Sequence, residues 1–290
     1  GHGEFFMVGG PSFKDLDQHV QKLFEQSTAT LLNQTREYWI SFTKSSQNFG
    51  DIIKDKNPDK KELLQAIEDV SVLLKSQQGK DGGVLAGHNY NMAYVRDEFG
   101  VFRAYLALGY NNEARQILNY YYNLWTRFGY VCNAQGIGIP GIFHRHENDE
   151  VEITGYILIQ AFEYLEKTQD KEFTDKIMPF LEWCWDVQKK NLVDGMLPFN
   201  GDETYIAGGM IPRKVLNDGS SEATLLFIEG GKKFLEYANL AGYKTAAWLN
   251  ENSEILSKVI SGFRAIFIKN DQLMVNNPRR AELCDFPDFR

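Results

Sequence analysis

Arg96 and Asp97 stand side by side at the end of a polar, tyrosine-bearing segment, GGVLAGHNYNMAYVRDEFGVFRAYLAL, that runs from Gly82 to Leu108. A fixed guanidinium donates to sugar hydroxyls and a neighbouring carboxylate accepts from them. The rings of Tyr90 and Tyr94, just upstream, offer flat faces for the apolar side of a pyranose. An ordinary loop is rich in Gly, Ser and Asn and seldom sets aromatics beside a charge pair. The plainer reading is a helix start, with Asp97 and Glu98 near the positive end of the helix dipole.

A second polar segment, FHRHENDE, sets His144 and His146 on either side of Arg145. Two histidines at i and i+2 share one side of a strand but lie far apart around a helix. Glu147 or Asp149 would have to complete a metal site there. A polar loop at a helix entrance explains the same residues with less, so no metal and no cofactor is expected. Cys132, Cys184 and Cys284 lie far apart without metal-ligand or redox spacing and read as buried thiols.

The elements that must position these residues are helices. Apolar residues recur at helical spacing in Leu63, Ile67, Val70 and Leu74, and again from about Arg96 to Gly109. Ala114, Ile117, Leu118, Tyr121 and Trp125 mark a third helix, and Ile153, Ile157, Ala161 and Tyr164 a fourth. Phe173, Ile177, Phe180, Leu181 and Cys184 mark a fifth. A sixth follows Asp218-Gly219-Ser220 with Ala223, Phe227, Gly230 and Phe234, and a seventh runs from about Lys244 to Ile268. Before this series, Phe5 to Val8 reads as a short strand closed by Gly9-Gly10-Pro11, and Phe13 to Phe42 as one long helix.

The connections alternate in kind. Gly109 to Asn112, Gln169-Asp170 and Gly242 make tight turns, whereas 77–95, 129–148 and 191–219 are long and rich in Gly, Tyr, Asn and Asp. Long loops inside a compact domain are usually functional. Because they fall at every second junction, they gather on one end of the helix array, and the site is expected there.

Composition narrows the partners. With 290 residues the chain can bury a large core, and its net charge of −8 argues against a nucleic-acid backbone as partner. No apolar run reaches the roughly 18 residues of a membrane span, and no signal peptide is read in the chain. Its aromatic content of 13% is on the high side, and the negative charge permits a neutral oligosaccharide or polysaccharide substrate.

From about Asp81 to Leu240 the sequence resembles the glucoamylase-like enzymes of glycoside hydrolase family 15. The resemblance rests on the aromatic-x-Arg-Asp motif of Tyr94, Arg96 and Asp97, on the following FRAYLALGYNNEARQIL, and on the carboxylate-bearing loop LVDGMLPFNGDETYI with Ser220 and a new helix after it. It implies an all-α catalytic domain, an (α/α)6 toroid of helical hairpins, of which seven of twelve helices are read here. On that basis residues 1–50 would be the end of an N-terminal β-domain with its linker helix, and 51–290 the barrel without its C-terminal part.

The resemblance also implies roles. Arg96 and Asp97 would hold the hydroxyls of the terminal sugar, with Tyr90 and Tyr94 beside them, and Glu203 would be the general acid. Where the family commonly has an aromatic before the acid, this chain has Asp202, which leaves Asp202 and Glu203 as alternatives. Asp149 matches a loop acid of the family. Phe199 and Tyr205 would partly desolvate the acid, and Asp202 adds like charge, so its pKa is expected to be raised. The reaction implied is inverting hydrolysis of α-glucosides from the chain end, with the catalytic base in a later loop. An (α/α) lyase would want clustered Arg and Lys in the loops and a phosphorylase a phosphate nest; the loops offer only Arg145 and Arg213-Lys214. A non-catalytic carbohydrate-binding helical domain is the remaining alternative.

Overall fold

The computed structural model describes residues 7–9, 12–87, 89–144, 149–199 and 216–273, with backbone only for 149–150, 199 and 216–218. It is an all-α protein, with a few short strands in the connections. Helices α1 (Phe13–Glu25) and α2 (Thr28–Lys44) open the chain, followed by a single turn, α3 (Phe49–Ile52), and by α4 (Lys60–Gln77). Of the strand expected at Phe5 to Val8, only Met7 and Val8 are described, and neither is in a strand.

The one long helix expected from Phe13 to Phe42 is in fact two. Gln26 is extended and the Ser27 side chain accepts the Thr30 N–H, so a new helix is capped where the apolar stripe runs on unbroken. The first of the two buries no residue. The second docks through Phe42, whose ring stacks on Tyr110 at 4.4 Å. Gln47 N–H then donates to Leu108 O, tying this segment to the first hairpin of the main body.

Three helical hairpins make that body. They are α5 (Val95–Leu108) with α6 (Asn111–Phe128), α7 (Asp149–Thr168) with α8 (Lys171–Lys190), and α9 (Ser221–Leu240) with α10 (Ala246–Phe267). Each turns tightly through a left-handed residue: Gly109 at φ 88°, Gln169 at 59° and Gly242 at 62°. Gly109 has a further reason to be glycine, since a Cβ there would lie 2.8 Å from Gln47 N.

Helix α7 is central, packed against α5 on one side and α9 on the other, with α6, α8 and α10 behind as a second layer. Trp185 of α8 stacks on Phe227 of α9 at 4.7 Å and donates its indole N–H to Asn252 of α10. Gly155 of α7 and Gly230 of α9 let these two backbones approach closely. The seven helices read from periodicity therefore stand with their order intact. What periodicity did not show are the short antiparallel strands in the long connections: β1 (Met92–Tyr94), β2 (Ala134–Gly136) and β3 (Phe143–His144) form one sheet, and β4 (Leu197–Phe199) pairs with β5 (Leu216–Ser220). A further two-stranded ladder, β6 (Ile268–Lys269) with β7 (Gln272–Leu273), follows α10.

Candidate functional site

Because each hairpin turns tightly at one end, α5, α7 and α9 all start at the other, where the long connections lie. The small sheets fasten those connections together. Strand β1 pairs Tyr94 with Ala134, and Val95 N–H donates to Asn133 O, so α5 starts directly against the second long connection. Buried Gln135 holds the corner by accepting Cys132 N–H at 2.7 Å and donating to Ala93 O at 3.2 Å. At α9 the Ser220 side chain caps the helix on Ala223 N, while Thr224 donates to Ser220 O and accepts Leu197 N–H. Strands β4 and β5 pair Leu197 with Ser220 beside the first turn of α9 and Phe199 with Leu216 further from it.

The first turns of α5, α7 and α9 carry a polar cluster across this end. Arg96 Nη1 donates to Asn133 Oδ1 at 2.7 Å and lies 3.8 Å from a carboxylate oxygen of buried Glu152. One turn further along α7, Tyr156 donates its hydroxyl to Glu222 of α9 at 2.5 Å and packs against Phe99. Burial raises the Tyr156 phenol well above its usual range, and the Glu152 and Glu222 carboxylates add to this while Arg96 opposes it. Tyr156 therefore stays a neutral donor at any physiological pH. One cation, two carboxylates, an amide and a phenol from three helices and one loop thus meet here, each engaged with another of the set.

Of the two tyrosines expected as a stacking platform, Tyr90 is 44% exposed and Tyr94 only 8%. Their rings meet edge to face at 6.1 Å. Tyr90 thus presents the open ring, and Tyr94 supports it from behind. Arg96 is half-buried and held in the cluster, whereas its neighbour Asp97 is exposed on the first turn of α5. Asp149 is the first residue of α7. Glu203 and Asp202, the alternatives for the general acid, lie outside the described residues, as do the side chain of Asp149 and His146, Glu147 and Cys284.

Sequence reasoning missed Glu152, Tyr156, Glu222 and Asn133. A signal for the first pair existed, since Glu152 and Tyr156 are four residues apart and share one face of α7 among apolar neighbours. Glu98 was read as a helix-end charge, yet it is fully buried. Its carboxyl accepts the Val84 N–H at 2.8 Å, and burial raises its pKa to about 8, with Asp81 and Asp97 adding like charge and the nearby Tyr121 hydroxyl and the Val84 amide opposing.

Two clefts are described at the opposite, tight-turn end. One of about 470 Å³ lies among α7, α8 and α9 beside Phe162, Lys233 and Tyr237, and another of about 420 Å³ lies between α6 and α8. In the larger, Lys233 is engaged with Glu166 and the Tyr237 hydroxyl with Asp175. These polar groups are engaged with each other, as are those at the loop-bearing end, where the exposed ring of Tyr90 lies. Among the described residues no group of three or more His, Cys, Asp or Glu is placed to hold a metal ion. Among them also, no helix is long and apolar enough to cross a membrane. No protein-family model matches this chain, and no curated protein matches it in sequence.

Proposed function

We propose that this protein is an exo-acting glycoside hydrolase of glucoamylase type that cleaves α-glucosides with inversion. The observation that carries this reading is the convergence of Arg96, Asn133, Glu152, Tyr156 and Glu222 at the starts of α5, α7 and α9, with the exposed ring of Tyr90 against Tyr94 just before α5. In this reading the three hairpins are half of a six-hairpin toroid, and its loop-bearing end binds the sugar. Tyr90 stacks on the terminal ring while Arg96 and Asp97 hold its hydroxyls.

Glu203 is proposed as the general acid. Its loop connects β4 to β5, whose Leu197–Ser220 pair adjoins the first turn of α9. A carboxylic acid there protonates the glycosidic oxygen as a second carboxylate, about 6.5 to 9.5 Å away, activates water on the other face of the ring. The test is glucose release from maltose, isomaltose and starch by the full-length protein that carries the base, as wild type and as Glu203→Gln. The proposal expects release by the wild type and a loss of about 10² or more in the variant with binding largely kept. Equal turnover by both would shift the acid to Asp202; no release by the wild type from any of the three substrates contradicts the activity.

A further inference from the structure

The connection that carries Tyr90 and the one that carries Asn133 are joined by a single carboxylate. In the first, the turn 79–83 is seated on α6: a Cβ on Gly82 would lie 2.1 Å from Gln116 O, and one on Gly83 would lie 2.9 Å from the Tyr120 ring. Gly79 N–H donates to Gly83 O and Gly82 N–H to Gly79 O, which closes the turn. Asp81 projects from it and accepts twice, from Gly83 N–H at 3.3 Å on Oδ1 and from Gly138 N–H at 2.6 Å on Oδ2. The second of these bonds crosses to the other connection.

Gly138 belongs to the tip of the hairpin between β2 and β3, which Gly136 N–H closes by donating to Ile142 O. Gly138 and Gly141 take φ of 72° and 96°, values that glycine adopts without strain. From Gly138 to Ile142 the tip is exposed. It is held to the body by the Asp81 bond, by Ile137 packed over Gly79, and by the Tyr120 hydroxyl, which donates to Gly136 O at 3.0 Å. Strands β1 and β2 run antiparallel with Met92 opposite Gly136. Two residues beyond that pair the chain therefore reaches Tyr90 on one strand and Gly138 on the other, at the same end of the ladder.

We propose that Asp81 is a positioning residue: it latches the β2–β3 tip to the turn seated on α6 and so fixes the wall beside the exposed Tyr90 ring. A carboxylate suits this task, because both of its oxygens accept and two N–H groups approach them. The short bond from Gly138 is of the stronger, charge-assisted kind. Alanine at this position removes both acceptors. Asparagine keeps one oxygen, which can face Gly138, but turns its amide hydrogens toward Gly83 N–H, so the latch survives in a weaker, neutral form. The consequence for binding rests on the glycosidase reading, in which a sugar stacked on Tyr90 lies against the tip. A tip that keeps its place in only about a tenth of the molecules raises the Kd for maltotriose about tenfold.

The experiment compares wild type, Asp81→Ala and Asp81→Asn by hydrogen exchange and by calorimetric titration with maltotriose. The expected result for Asp81→Ala is exchange in peptides covering 137–142 that is about tenfold faster, with exchange in α7 and α9 unchanged, and a Kd about tenfold higher. Asp81→Asn should fall between Asp81→Ala and the wild type on both readouts, a partial rescue that a general loss of packing would not give. Unchanged exchange in 137–142 in Asp81→Ala overturns the latch. Faster exchange spread through α7 and α9, or a loosened tip with an unaltered Kd in a protein that binds maltotriose, overturns the positioning role. A tip that loosens as expected in a protein whose wild type binds no maltotriose upholds the latch and counts against the glycosidase reading alone.

Discussion

An alanine methyl at Gly155 would lie 2.6 Å from Gln188 Nε2, 2.7 Å from Leu226 Cβ and 3.2 Å from the Leu226 carbonyl carbon. Two of these belong to α9 itself and cannot swing away. Carbon atoms pack at about 3.5 to 4.0 Å, so α9 must retreat by roughly 1 Å from α7. Alanine gains about 1 kcal/mol of helix propensity over glycine. Against this, overpacking costs about 1 to 3 kcal/mol. Gln188 is fully buried and donates to Val151 O at 3.2 Å; displacing its amide costs about 1 to 3 kcal/mol more. The net is a loss of about 1 to 5 kcal/mol, and a melting temperature lower by about 2 to 4 °C for each of them. The same retreat separates Tyr156, next in sequence to Gly155, from Glu222, one turn before Leu226. Urea and thermal unfolding followed by circular dichroism measure the loss. Gly100→Ala is the control, because its Cβ would meet nothing within 4 Å and its φ is not positive, and it should stabilise by about 0.5 to 1 kcal/mol. A Gly155→Ala protein as stable as Gly100→Ala would refute the close approach of α7 and α9.

Glu98 makes stability depend on pH as well. Its folded pKa is raised from 4.5 to about 8, so its stabilising effect is fully present below 4.5 and is lost as pH rises through about 8. That loss is at most about 5 kcal/mol, and Glu98→Gln should flatten this part of the profile in urea unfolding at pH 5, 7 and 9; an unchanged slope contradicts it. Burial pushes the Cys184 thiol well above its usual range. A thiol reagent should therefore modify Cys184 in the native protein no faster than the protein unfolds, and fast native labelling would show that α8 is not packed as described. Asp97 is exposed, so Asp97→Ala should change stability by no more than about 0.5 kcal/mol while lowering affinity for maltotriose, read by unfolding and by calorimetric titration.

Helices were legible because each carries its apolar stripe and its stop signals locally, as Gly109 and Asp218-Gly219-Ser220 do. The break at Ser27 was hidden, since the stripe continues through it and only the cap on Thr30 N–H separates α1 from α2. Three-residue strands such as Met92–Tyr94 are too short to show a period, and they form because a distant segment, Ala134–Gly136, lies alongside. Arg96 and Asp97 stood out by residue type, but Asp97 proves exposed while the partners of Arg96 come from elsewhere. Asn133 and Glu152 reach it only once the second connection and α7 are in place. Glu98 was misread for the same reason, since its burial depends on Tyr121 and Gln160 from two later helices.

The account rests on sugar binding at the loop-bearing end of the helix array. Hydrogen exchange of the whole chain with and without saturating maltotriose tests this most directly. The account predicts new protection in peptides covering 84–97, 130–136, 149–157 and 220–224, and its loss in Asp97→Ala. Protection confined to the clefts at the tight-turn end, around Gln169 and Lys233 or Asn112 and Lys176, or no protection at any maltotriose concentration, would contradict it.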